Sequence, residues 1–318
     1  MAAVTSASET TQPSWRAQPQ VPGLDPAALA KRPALVKMGD AYAKSSAMAA
    51  LLPDGRLHLQ HGPIDIVAEA FGEASAVRAG YARGAARFST VLEELVAELP
   101  ALRTDGAGVE GVIAQCMTAA VAPFRPAFLT PMAAVAGAVA EHVLSALVGP
   151  GIVRAYANNG GDIALWLGPD ESLTCALAVT GGLDRVTLRA TDSVRGIATS
   201  GWRGRSFSFG IADAVTVLAR TAAMADAAAT MIANAVDVDH PGIVRRPARD
   251  LQSDSDLGDR RVTVEVPWIS ADARAQALDA GLATAEGFRA RGLIEGAALF
   301  LQDETRVSGI SALGVTGG

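Results

Sequence analysis

Ala-Val-Thr-Val-Leu (214–218) and, six residues further on, Met-Ala-Asp-Ala-Ala-Ala-Thr-Met-Ile-Ala-Asn-Ala-Val (224–236) form the most legible stretch of this chain. The first piece is β-branched and of strand length. The second is almost wholly small or apolar, without Gly or Pro, and predicts a buried helix with Thr221 as its N-cap. Asp226 and Thr230 lie four apart and Asn234 continues the row, so three polar groups share one face of that helix. Burying them is costly unless something satisfies them. A hard cation such as Mg2+ takes oxygen ligands of this kind. The alternative is that the Thr bonds back to its own helix while the Asp caps a neighbouring segment.

Upstream, Ala-Asn-Asn-Gly-Gly-Asp-Ile (157–163) reads as a tight turn between strands at Ile152–Ala157 and Ile163–Leu167. Paired glycines leave backbone groups uncovered, so Asn159, Gly160, Gly161 and Asp162 can approach a phosphate or offer a carbonyl to a metal. Taken alone, the stretch is a hairpin turn. Further strands are expected at Cys175–Val179, Arg185–Ala190 and Gly196–Thr199. Thr199, Ser200 and Gly201, with Arg203, Arg205 and Ser206, then gather hydroxyls, cations and glycines. Such a mixture suits an oxyanion or phosphate, or else a solvated basic loop.

Elsewhere, Arg56–Gln60 and Ile64–Phe71 read as a hairpin after a Pro53-Asp54-Gly55 turn, with His58 and His61 facing opposite sides, a poor metal pair. Helices are predicted over Ala74–Leu99, ended by Pro100, over Val109–Val121, and from Thr130-Pro131 onward, with Thr130 as cap. Asp237–Gly258, with its Asp254-Ser-Asp256 run, reads as an exposed loop. Val262–Val266 is a strand, Ala271–Arg291 a helix, and Leu293–Leu301 a final strand before a Gly-rich tail. Residues 1–33 read as a disordered leader and 34–318 as one domain. The expected class is α+β, with mainly antiparallel sheets flanked by helices rather than a Rossmann fold, because no Gly-x-Gly-x-x-Gly follows a strand.

Half of the 318 residues are hydrophobic and 19% charged, ample for a large core. A net charge of −6 argues against nucleic acid as the default partner and gives no membrane-surface signal. Cys116 and Cys175 are too few for a disulfide framework and lack metal spacing. The longest apolar-rich window, Pro131–Val148, is interrupted by Glu141 and His142. No secretory signal is visible, and a cytoplasmic location is expected.

The order Asn-Gly-Gly-Asp-Ile (159–163), Ala-Thr-Ser-Gly (198–201) and Ala-Val-Thr-Val through Ala-Asp-Ala-Ala-Ala-Thr (214–230) resembles the ApbE superfamily of FAD:protein FMN transferases. His-Gly-Pro-Ile-Asp (61–65) and Thr-Pro-Met-Ala-Ala-Val-Ala-Gly (130–137) are similar to an uncharacterised cytoplasmic branch of it. The resemblance implies an ApbE-like, T-fold-related architecture. It implies Mg2+ on Asp226, Thr230 and a carbonyl near Asn159, and FAD toward Asn159, Gly160, Gly161, Asp162, Thr199, Ser200, Gly201 and Arg205. Catalysis would fall to Asp226 and Asp213. The transferases carry a His-Ile-Ile-Asp-Pro-x-Thr-Gly-type segment where this chain has Arg205 to Asp213, and only Asp213 is left to stand in for its Asp. The implied ligand is a flavin nucleotide or a related small molecule. An acceptor flavoprotein and a homo-oligomer are compatible with it. The expected function is Mg2+-dependent binding of FAD or a related dinucleotide with FMN transfer or pyrophosphate cleavage. The alternatives are a non-catalytic flavin-binding or assembly module, or a different small substrate in a pocket remodelled by Arg203, Arg205 and Asp213.

Overall fold

Pro53-Asp54-Gly55 makes the expected turn, joining an exposed edge strand to one whose side chains alternate between core and surface. A computed structural model of the chain describes residues 46–179 and 182–309. The leader expected at 1–33 and the Gly-rich tail past 309 lie outside the described residues. β1 (Met48–Leu51), β2 (Leu57–His61) and β3 (Ile64–Gly72) form a meander. Leu57, Leu59 and His61 point inward while His58 points outward and meets Asp65 at 3.0 Å. The two histidines do face apart, as a strand requires.

One helix was expected over 74–99, but three short ones form: α1 (Ala74–Phe88), α2 (Val91–Ala97) and α3 (Leu99–Leu102). Ser89 and Thr90 break the run: Ser89 Oγ donates to the Ala86 carbonyl at 2.8 Å and Thr90 Oγ1 to Glu94 at 2.6 Å. Pro100 does not end a helix but stands in the first turn of α3, where a missing N–H leaves no bond unmade. α4 (Val112–Val121) follows, then a 3-10 turn over Pro131–Ala134 that leads into α5 (Val135–Leu147).

The second half begins with β4 (Ile152–Asn159) and β5 (Asp162–Leu167), then the separate hairpin β6 (Ser172–Val179) and β7 (Gly182–Arg189). β8 (Gly196–Ser200), β9 (Ala214–Ala219) and α6 (Ala222–Ala235) come next. Within the stretch read as an exposed loop, β10 (Val244–Pro247) and α7 (Ala248–Leu251) form, and β10 pairs with β11 (Arg261–Glu265). α8 (Ala271–Ala290) precedes β12 (Gly296–Leu301). β12 is not the last strand: Gln302 takes a positive φ of 56° and turns the chain into β13 (Glu304–Ser308).

Among the described residues, nine strands form one sheet in the order β1-β2-β3-β4-β5-β8-β9-β12-β13, with antiparallel neighbours throughout. The architecture is α+β, as expected. One face of the sheet carries α5 and α6, with α1 and α8 beside them, and holds the larger core. The other face buries a smaller cluster that includes Leu165, Ile197 and Phe300 together with Val186 and Leu188 of β7. Among the described residues, no helix is long and apolar enough to cross a membrane.

Candidate functional site

The alanines of α6 let it lie close to everything around it. Thr221 Oγ1 accepts the Met224 N–H at 3.2 Å and starts the helix where the sequence predicted. At Gly137 of α5 a Cβ would stand 2.2 Å from the Ala222 carbonyl oxygen, so only glycine allows this crossing. The crossing brings each helix's carboxylate to the other's first turn. Asp226 Oδ2 accepts the Gly137 N–H at 3.1 Å, and Glu141 Oε1 accepts the Ala223 N–H at 3.0 Å. Amide hydrogens at a helix start lack intrahelical partners, and a carboxylate is the group their field favours. Asp226 therefore does cap a neighbouring segment.

Capping does not account for Asp162. The Gly160–Gly161 turn, with φ of 66° and 116°, delivers it at the first position of β5, and Asn158 Oδ1 steadies the turn through the Gly161 N–H at 2.8 Å. Asp162 is 8% exposed and accepts the Thr199 N–H at 3.1 Å. Burial pushes its carboxyl up to about 7 from an ordinary 3.8, against the pull of the Thr199 bond and of Arg205. Asp226 is driven well above its ordinary range, first by enclosure and then by the charge of Asp162 beside it. Two carboxylates thus line one pocket, and the charge of Asp162 adds to burial in holding back ionisation of Asp226.

That space is a cavity of about 250 Å3. Asp162, Asp226 and Thr230 lie in its wall together with Arg205 and Asn234. Phe128, Phe207 and Phe209 give it an aromatic side, and the Arg260 guanidinium backs Phe128 at 3.4 Å from the ring centre. Asn234 Oδ1 pins that side by accepting from Ser208 Oγ at 3.1 Å and the Phe209 N–H at 2.8 Å. An adjoining cavity of about 410 Å3 is mostly apolar, with Ile64, Leu92, Leu95 and Val139 in its wall. Arg205, Ser206, Gln252 and Asp256 belong to both walls. Arg205 is exposed and lies across the glycine turn, where a Cβ on Gly160 would meet its Nη2 at 1.9 Å.

The residues predicted from sequence divide accordingly. Asp162, Asp226, Thr230 and Arg205 come together in the polar cavity. Asn159 belongs to the apolar one, its side-chain Nδ2 donating to the Ala136 carbonyl at 3.1 Å. Gly160, Gly161, Thr199, Ser200 and Gly201 are not in either wall. Thr199 acts on the site through its N–H to Asp162, and a Cβ on Gly201 would strike the Asp213 carbonyl at 2.4 Å. Asp213 is placed elsewhere. Its Oδ1 accepts from Trp202 Nε1 at 3.2 Å and Arg203 Nε at 2.6 Å, and its Oδ2 accepts the Gln302 N–H at 2.6 Å. Each Asp213 oxygen is engaged in tying the 201–206 segment to the β12–β13 turn.

Sequence reasoning missed Gln252, Ser255 and Asp256, which it placed on an exposed loop. Arg103 holds Asp254 at 2.8 Å and Thr130 Oγ1 donates to Asp256 Oδ2 at 2.5 Å, drawing the segment in. Both anchors lie more than a hundred residues upstream, so no local pattern marks them. Thr130, read as a cap, makes no side-chain cap bond.

Asp162, Asp226 and Thr230 offer oxygen donors in the wall of the polar cavity, which fits a hard cation. Among the described residues, no group of three or more His, Cys, Asp or Glu is placed to hold a metal, so a cation here would rest on the two carboxylates and a hydroxyl.

A family model described as AbpE bacteria matches residues 49–307. A UPF0280 protein of Methanothrix thermoacetophila is 42% identical over 113 residues, 34% of this chain and 47% of its own length. One of Methanococcoides burtonii is 38% identical over 119 residues, 36% of this chain and 48% of its own. The chain therefore spans about half the length of these relatives. A UPF0280 protein of Methanopyrus kandleri is 33% identical over 201 residues, 58% of this chain and 76% of its own. Among solved structures, the apo form of Pseudomonas stutzeri flavinyl transferase ApbE is similar at 13% identity and a TM-score of 0.39, over 85% of this chain and 96% of that one.

Proposed function

This chain belongs to the AbpE bacteria family, and on that premise we propose that it binds FAD or a related diphosphate-bridged dinucleotide together with Mg2+, and transfers or cleaves at the diphosphate. The observation that carries the reading is the pairing of Asp162 with Asp226 in the wall of one cavity, where the charge of Asp162 adds to burial in opposing ionisation of Asp226. A buried pair of like charges is costly by several kcal/mol, and a divalent cation between them offsets that cost. Asp162, Asp226 and Thr230 would hold the ion. When bound, Mg2+ would neutralise the diphosphate and take up charge building on the phosphoryl oxygens. Arg205 stands exposed at the wall common to both cavities and would pair with a phosphate. The aromatic side of one cavity and the apolar lining of the other offer surfaces for the two ring systems of a dinucleotide. The Ala-Asp-Ala-Ala-Ala-Thr pattern (225–230), which resembles that of FAD:protein FMN transferases, supports a flavin as one of them.

A second reading is a flavin-binding module without chemistry of its own. The engagement of Asp213 in a structural clamp favours it, because the one carboxylate left in the remodelled segment does not reach either cavity. Incubation with FAD in Mg2+ or in EDTA, with chromatography of the nucleotides, tests the two. The first reading expects FMN and AMP, or protein-bound FMN, only with Mg2+, and none from Asp226→Ala. Retained FAD without any product would favour the module. No retention of FAD in either condition would overturn both.

A further inference from the structure

We propose that Thr130 and Asp256 are a nucleophile and its base within this site, and that the chain takes a nucleotidyl group onto its own Thr130 hydroxyl. The proposal rests on the reading of the site as one for a diphosphate-bridged dinucleotide. Thr130 is 4% exposed and belongs to the wall of the polar cavity with Asp162, Asp226 and Thr230. It stands immediately before the Pro131–Ala134 turn, where a threonine oxygen ordinarily accepts a backbone N–H, and it does not do so. Its Oγ1 instead donates to Asp256 Oδ2 at 2.5 Å, a short hydrogen bond from hydroxyl to carboxyl oxygen. Among the described residues Oγ1 makes no other hydrogen bond, which leaves its lone pairs uncommitted.

A hydroxyl is a weak nucleophile until an adjacent base draws off its proton, and hydrogen-bond contact between the two is the mark of that arrangement. The residues flanking Asp256 are fixed. Its neighbour Asp254 is fixed by Arg103 at 2.8 Å and by Gln252 Nε2 at 3.3 Å, and the Leu257 N–H closes onto Ser255 Oγ at 3.3 Å. Asp213, the carboxylate that the sequence offers as a base, is tied elsewhere, while Asp256 belongs to the walls of both cavities. With FAD in the site, Asp256 Oδ2 takes the proton of Thr130 Oγ1 as an Oγ1–P bond forms at the flavin-side phosphorus. The bond from that phosphorus to the bridging oxygen breaks, and AMP leaves with the electron pair. The product is a phosphodiester joining Thr130 to FMN, with no change of oxidation state.

The test incubates the full chain with FAD and Mg2+, quenches in acid from milliseconds to hours, and reads intact mass, in-gel flavin fluorescence and the modified peptide. FAD binding is followed by flavin fluorescence on the same samples. The proposal expects a mass gain of one FMN phosphoryl group on the peptide that carries Thr130. Thr130→Val removes it, Thr130→Ser retains it, and Asp256→Asn slows its formation about 100-fold or more, with FAD still bound in each variant. FAD binding without an adduct at any time, or an adduct on another residue, overturns the proposal and leaves the site reading standing. Absence of Mg2+-dependent FAD binding by the wild-type chain overturns both.

Discussion

Asp226 Oδ2 accepts the amide hydrogen of Gly137 at 3.1 Å, which joins the middle of one alanine-rich helix to the first turn of another. The same crossing is returned by Glu141, whose Oε1 accepts from Ala223 at 3.0 Å. The carboxylate is therefore held in place by main chain, and the main chain is held by close packing at a residue without a side chain.

Replacing that residue tests the packing. In Gly137→Ala the added methyl carbon would meet the Ala222 carbonyl at 2.2 Å, and backbone must move to admit it. We expect a loss of about 1–3 kcal/mol in urea unfolding, the usual cost of overpacking, together with weaker cation binding as Asp226 shifts. An unchanged midpoint would show that the helices do not meet as described.

The two carboxylates make stability depend on pH with a definite sign. Burial pushes the Asp162 carboxyl up to about 7 from an ordinary 3.8, and Asp226 is displaced the same way. Between these values the folded state binds more protons than the unfolded one, so stability falls as pH rises through that window. Urea unfolding in EDTA at pH 5 and pH 8 checks the direction. Asp162→Asn should flatten the dependence, and Mg2+ should restore stability at pH 8 in the wild type only.

Arg205 offers an exposed charge at the wall common to both cavities, and its Nη1 donates to the Pro63 carbonyl at 3.5 Å, a long contact that contributes little to the fold. Arg205→Met is expected to weaken FAD binding about 10-fold or more, in line with the strength of charge-assisted phosphate contacts, and to leave the unfolding midpoint unchanged. Equal affinity in both proteins would remove Arg205 from the site.

Asp213 should behave in the opposite way. Its carboxylate gathers Trp202, Arg203 and the Gln302 amide, so Asp213→Ala leaves the half-buried Trp202 and Gln302 donors unmatched. A cost of about 1–3 kcal/mol is expected, measured in urea. If stability is untouched while turnover disappears, Asp213 reaches the ligand after all.

How far the sequence could be read depends on where the partners lie. The α6 helix, its Thr221 cap and the Asp226–Thr230 stripe were legible because period and capping are local. The β4–β5 turn was legible because paired glycines at positive φ have few other uses. The break in the first predicted helix was not, since Thr90 and Glu94 suit a helix face as well as a new start. The strand after Leu301 was hidden because its turn uses Gln302 in a conformation that glycine or asparagine ordinarily signals. The Gln252–Asp256 segment was read as a solvated loop because its anchors, Arg103 and Thr130, are remote in sequence. Polar composition alone does not say which surface a loop covers.

The central claim is that Asp162 and Asp226 hold a cation that a dinucleotide needs. Calorimetric titration of FAD at pH 8, with Mg2+ and with EDTA, on the wild type and on Asp226→Asn, addresses it most directly. The account predicts binding by the wild type with Mg2+, weakened at least about 10-fold both by EDTA and by the substitution. Equal affinity in all four titrations would contradict it.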